Sequence, residues 1–167
     1  MTLRIGRTAV AGVLLLFAVA QGLAQDQAGP DCGTFEVAHR LDVAETLDNG
    51  DKGPSPGDQR ILQYLTYNAE DKQVGQMLIV ATVMHPRSDG DFDLHSSLVH
   101  SFPNETITSV ESPRLSEVLQ TDVSPDHVIE RAVTGGTGAF AGAVGVTSAE
   151  PVESGVYRRT FTLSCPQ

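Results

Sequence analysis

The chain has 167 residues, with 11 Lys and Arg against 21 Asp and Glu, a formal charge of −10, 16 Gly, 9 Pro, 2 Cys and no Trp. That length suits one domain, and the acidic balance argues against a surface that neutralises nucleic-acid phosphate or anionic lipid, which takes clustered Lys and Arg. At 40% hydrophobic and 19% charged, the composition is that of a globular protein, not a disordered one.

Residues 1–24 read as a signal peptide. Arg4 and Arg7 give a positive start, Ala9 to Ala20 is apolar, and Ala18-Val19-Ala20 and Gly22-Leu23-Ala24 are small-x-small cleavage signals. The apolar run falls short of the roughly 20 residues that span a bilayer, so no retained membrane span is expected. Gly29-Pro30-Asp31 before Cys32 is no lipobox. The expectation is an exported protein (periplasmic, secreted or extracellular) whose residues 25–167 form one domain. In an oxidising compartment Cys32 and Cys165 predict one disulfide tying the two ends together.

Downstream the dominant period is two. Thr34 to Asp42 alternates Phe35, Val37, His39 and Leu41 with Glu36, Ala38, Arg40 and Asp42. Arg60 to Asn68 and Val74 to His85 read as a hairpin across a polar turn, after a loop at Gly53 to Gly57. Phe92 to Phe102 is the next strand. Thr106 to Val110 is weaker, and Leu115 to Thr121 suits either a strand or a short helix. His127 to Thr134, Ala143 to Ala149 and Val156 to Ser164 complete the set. Roughly eight strands with short turns predict an all-β, antiparallel barrel or sandwich. Joined termini favour the barrel, because closure removes unpaired edges. Its interior is expected to be lined mainly by Val, Ile, Leu, Met and Ala.

Ala132 to Gly145, AVTGGTGAFAGAVG, is the most specific local signal. A dinucleotide-binding turn needs a crossover helix and a second parallel strand behind it. Here Pro151 and Gly155 break the segment after Gly145 into two short strands, so no cofactor of that kind is expected. Gly135, Gly136, Gly138 and Gly142 read instead as structural turn residues, with Phe140 packed beneath a tight corner. The motif resembles the late block of the allene oxide cyclase barrel-like and dirigent-like proteins. The upstream hairpin, Gly57-Asp58 with Lys72-Gln73-Val74-Gly75, is similar to theirs as well. The resemblance spans about residues 34–164. It implies an eight-stranded antiparallel β-barrel with an apolar cavity, often a homo-oligomer, and no cofactor.

The resemblance also implies site residues. Phe35-Glu36 matches an aromatic followed by a catalytic glutamate, and Tyr64 falls near a cavity position. Desolvation inside a cavity raises a carboxylate towards working pH, which would make Glu36 a general acid or base. On an alternating strand Glu36 reads equally as a solvated residue, with Arg40 on its own face as an ion partner. Tyr64 and Tyr67 point to opposite faces, and Asp58 reads as a turn residue. No metal site is expected: the five histidines lack ligand spacing, and Asp89-Gly90-Asp91-Phe92-Asp93 fits no EF-hand loop. Nor does any local nucleophile signature occur. The implied function is an exported barrel holding a small hydrophobic molecule, either as a cofactor-independent cyclase or isomerase or as a stereochemistry-directing, dirigent-like protein. The alternatives are a carrier or sensor of hydrophobic ligands and a secreted interaction module.

Overall fold

Eight antiparallel strands realise the period-two pattern and close on themselves. The computed structural model describes residues 30–50, 52–115 and 128–166. The expected signal peptide, most of the Leu115 to Thr121 run and His127 lie outside them. The strands are β1 (Thr34–Leu47), β2 (Gln59–Tyr67), β3 (Gln73–Pro86), β4 (Phe92–Phe102), β5 (Glu105–Glu111), β6 (Ile129–Gly136), β7 (Val144–Glu153) and β8 (Val156–Ser164). Each pairs with its sequence neighbours, and β1 pairs with β8 from Thr34↔Thr162 to Arg40↔Val156. The fold is therefore the closed eight-stranded antiparallel barrel that both the patterning and the resemblance implied.

Two strands outrun their sequence estimates. β1 continues past Asp42 because a register shift between Leu41 and Val43 bends it, and it stays with β2 as far as Leu47↔Gln59 after leaving β8. That extension is exposed throughout. β7 continues through Pro151 to Glu153. The ladder with β8 slips between Pro151 and Glu153, a break at which a residue without an N–H is tolerated.

One end of the barrel is plugged. Phe35 stacks on Phe161 at 4.7 Å between ring centroids, and Phe140 and Phe102 lie 5.8 and 6.3 Å from Phe35. Val37, Ile107, Val133 and Ala143 fill between the rings. Aromatic pairs of this kind contribute about 0.5–1.5 kcal/mol each beyond their buried area. The glycine motif makes the plug possible. Gly135 and Gly136 end β6, and a single 3-10 turn, Gly138–Phe140, carries Phe140 inward before Gly142 and Ala143 lead into β7. A Cβ on Gly136 would stand 2.4 Å from the Thr106 carbonyl oxygen, and Gly138 has φ +63°, a left-handed conformation that costs an L side chain.

Beside the plug, Cys32 and Cys165 form a disulfide that joins the start of β1 to the end of β8. It closes a loop with a sequence separation of 133. In the chain-entropy treatment such a loop is worth on the order of 4–5 kcal/mol. Replacing both cysteines with serine is expected to lower the free energy of unfolding in urea by about 4 kcal/mol. An unchanged midpoint and slope would show that strand closure alone holds the ends.

Candidate functional site

Away from the plug the interior opens. Strand alternation turns Leu62 and Tyr64 of β2, Met77, Ile79 and Ala81 of β3, and Ser96 of β4 towards the barrel axis. Glu111, Arg131, Ala149, Tyr157 and Arg159 face them from β5 to β8. Together with Pro113 and Val128 these residues line a cavity of about 350 Å³. That volume lies at the low end of the range for small-molecule sites. One wall is apolar and the other carries charge.

The charged wall departs from the expected Val, Ile, Leu, Met and Ala lining. Arg131 and Arg159 are 7% and 2% exposed. Arg131 Nη2 donates to Glu111 Oε1 at 2.6 Å, and Arg159 Nη1 donates to Thr147 Oγ1 at 3.3 Å. Burial and the neighbouring Arg131 push the Arg159 guanidinium down, to about 9, so it stays protonated at neutral pH. Tyr64 packs edge-on to Tyr157 at 5.9 Å. Burial drives its hydroxyl up to about 12, against the pull of the nearby arginines, which keeps it a proton donor.

Between cavity and plug sits a layer of buried polar groups. His39 lies across the ladders from Thr66 and Tyr157, and its Nδ1 shares a hydrogen bond of 3.0 Å with Thr66 Oγ1. His100 stands 5.5 Å from the His39 ring and edge-on to Phe161. Neither ring nitrogen of His100, nor His39 Nε2, has a hydrogen-bond partner. Burial first, then the positive charges of Arg159 and Arg131, hold both imidazoles well below their ordinary range, so both are neutral.

The residues expected from sequence divide. Tyr64 is buried in the cavity wall. Tyr67 faces outward beneath Arg40, whose guanidinium carbon lies 4.2 Å from the ring centroid. Glu36 is on the outer face, exposed, and accepts a hydrogen bond from Thr160 Oγ1 at 3.0 Å. The alternation that sends Val37 and His39 inward turns Glu36 away from the cavity, so it lacks the desolvation an acid or base role there requires. Arg40 is not its partner either; it pairs with Asp71. Asp58 is the turn residue expected, accepting the Asn49 and Ser55 amides at 2.9 and 2.8 Å, which hold its carboxyl below the usual range. The Asp89 to Asp93 tip is paired with Arg87, and among the described residues no cluster of three metal-ligating side chains occurs.

Glu111, Arg131, Tyr157, Arg159, His39 and His100 escaped the sequence reading. Their signal was phase: each falls where alternation puts an inward side chain, as His39 does after Phe35 and Val37.

No protein-family model matches the chain, and no curated protein matches its sequence. Solved structures do match. Pyocyanin demethylase aligns with a TM-score of 0.62 at 19% identity, over 78% of this chain and 99% of its own. The Diels-Alderase AbmU from Streptomyces koyangensis aligns at 0.61 and 12% identity, over 80% of this chain and 64% of its own, so this chain spans a little under two thirds of that enzyme. A pterocarpan synthase dirigent protein aligns at 0.49 and 13% identity, over 83% and 90%. The first two likenesses show that the barrel has a fold also found in enzymes acting on small molecules.

The neutral histidines predict an acid-sensitive fold. Below about pH 6.5 an unfolded chain protonates both imidazoles while the folded one does not, so stability is greatest above that pH and falls as pH drops. Each histidine contributes a slope of up to about 1.4 kcal/mol per pH unit between its folded and unfolded values. Urea midpoints measured from pH 8 to pH 5 should fall accordingly, and His100→Leu should make the decline shallower. Midpoints that stay level across that range would contradict the burial of neutral imidazoles.

Proposed function

We propose that this is an exported barrel that binds a small, largely hydrophobic molecule in its cavity and directs that molecule's cyclisation or isomerisation without a cofactor. One observation carries the reading: the apolar side chains of Leu62, Met77, Ile79 and Ala81 share one cavity with a protonated Tyr64 hydroxyl and two guanidiniums. Such a site acts by holding a flexible substrate in a reactive shape and excluding water. Donors fixed on one side stabilise oxygen-centred negative charge as it develops. In this reading Tyr64 donates a hydrogen bond to the substrate. The fold that the chain shares with a Diels-Alderase supports it.

A carrier of hydrophobic ligands is the second reading, supported by the same apolar wall. The two differ in what happens to the bound molecule. Incubated with an organic extract of the producing culture, the protein should convert one component to an isomer of identical mass, seen by chromatography with mass detection. Tyr64→Phe should slow that conversion by roughly a hundredfold to a thousandfold, the loss expected when one donor to developing charge is removed. Glu36→Gln should leave the rate unchanged. A component retained unaltered on the protein would overturn the enzyme reading in favour of the carrier.

We also propose that copies of the chain associate. The outward residues Thr108 and Val110 of β5, Ala132 and Thr134 of β6, Val144 and Val146 of β7 and Thr162 of β8 form an uncharged band on a chain of net charge −10. An acidic chain meets its own copy most favourably through such a band. A light-scattering mass above that of one chain is expected, and a monomer at micromolar concentration would overturn it.

A further inference from the structure

We infer that Arg159 and Arg131 form a subsite for a carboxylate carried by an otherwise apolar ligand. This deepens the proposed function by naming its substrate class, and it rests on the cavity being a binding site.

Donors and charges in the wall do not balance. Arg131 spends Nη2 on Glu111, and its Nε and Nη1 have no partner. Arg159 spends Nη1 on the neutral Thr147 hydroxyl, and its Nε has none. Three nitrogens with N–H donors are thus buried and unspent. Glu111 pairs with Arg131 and acts on Arg159 only from further off, so the two buried guanidiniums share one carboxylate, and among the described residues Arg159 makes no ion pair of its own. The remaining carboxylate of the lining, Glu130, is exposed at the mouth.

A buried guanidinium without a counter-charge is costly. The groups around Arg159 do not relieve this: His39 and His100 beneath it are neutral, and the neighbouring Arg131 is a second positive charge. One monovalent anion in the cavity would neutralise the Arg159 guanidinium, which lines it. Across the cavity Met77, Ile79 and Ala81 offer only apolar surface, so the rest of the ligand must be apolar. Tyr64 and Tyr157, crossed edge to face, suit a flat or unsaturated body between them.

Calorimetric titration with 2-naphthoate and 2-naphthamide, which share size and shape and differ in charge, tests this directly. The full chain should bind naphthoate at least about tenfold more tightly than the amide, in keeping with a charge-assisted hydrogen bond. Arg159→Gln should bring the two within about threefold, chiefly by weakening naphthoate. Glu111→Gln, which leaves the Arg131 charge unmatched, should tighten naphthoate further, and this arm holds even if the Arg159 variant fails to fold. Equal binding of both probes, unaffected by either substitution, would overturn the carboxylate subsite while leaving the cavity reading in place. Binding of neither probe would overturn the cavity reading itself.

Discussion

The pairing of β1 with β8 is the constraint on which the rest of the structure depends. Once Thr34 to Arg40 lie in register against Val156 to Thr162, the sheet has no edge along that seam and every second side chain is committed to one enclosed interior. The phase is set for both strands together: Phe35, Val37 and His39 face in with Phe161, Arg159 and Tyr157, while Glu36 and Arg40 face out. A one-residue slip would exchange these sets, moving the phenylalanines into water and Glu36 into the barrel. The disulfide and the phenylalanine plug sit at the same seam and hold that register. Along one strand, β8, the interior passes from Phe161 in the plug to Arg159 and Tyr157 in the cavity.

That division has an energetic logic. The plug end is tightly filled, and its rings gain from mutual contact and buried area. The cavity end buries two guanidiniums and, beneath them, two imidazoles whose nitrogens are mostly unpartnered. Each unmet buried polar group costs about 1–3 kcal/mol, and charged groups cost more. A fold does not gain stability from such a layer. The plug and the closed ladder offset the cost, and the polar layer is what an apolar cavity needs in order to orient a ligand and polarise it.

The fold was legible in the sequence because alternation, turn residues and the glycine motif all report local geometry. Phe35, Val37 and Leu41 gave the phase of β1, and TGGTGAF marked the corner that carries Phe140 inward. The site was less legible, for a physical reason. Alternation says which residues share a face, but the two faces of a barrel strand differ only in which meets water. A charged residue such as Arg131 or Arg159 is therefore assigned outward by habit, although its phase puts it with Val133 and Phe161. Glu36 is the opposite case: the family match implied a cavity position, the strand pattern also allowed a solvated residue, and the phase of β1 puts Val37 and His39 inside and Glu36 out. For Tyr64 alternation said only that it and Tyr67 lie on opposite faces, and the family match picked the one that lines the cavity. The extension of β1 beyond Asp42 was hidden because a register shift breaks the period that marks a strand.

The proposed function puts a ligand in the cavity, and two methionines on β3 allow that to be seen. Met77 is 1% exposed and lines the cavity, whereas Met84 is 41% exposed near the other end of the strand. With methionine methyls labelled by carbon-13 and 2-naphthoate in excess, an isotope-filtered NOE experiment reads which methyl lies beside the ring protons. A ligand in the cavity gives cross-peaks from the Met77 methyl and none from Met84. Cross-peaks to Met84 alone, or a bound probe that touches neither methyl, would place the ligand outside the barrel and contradict the claim.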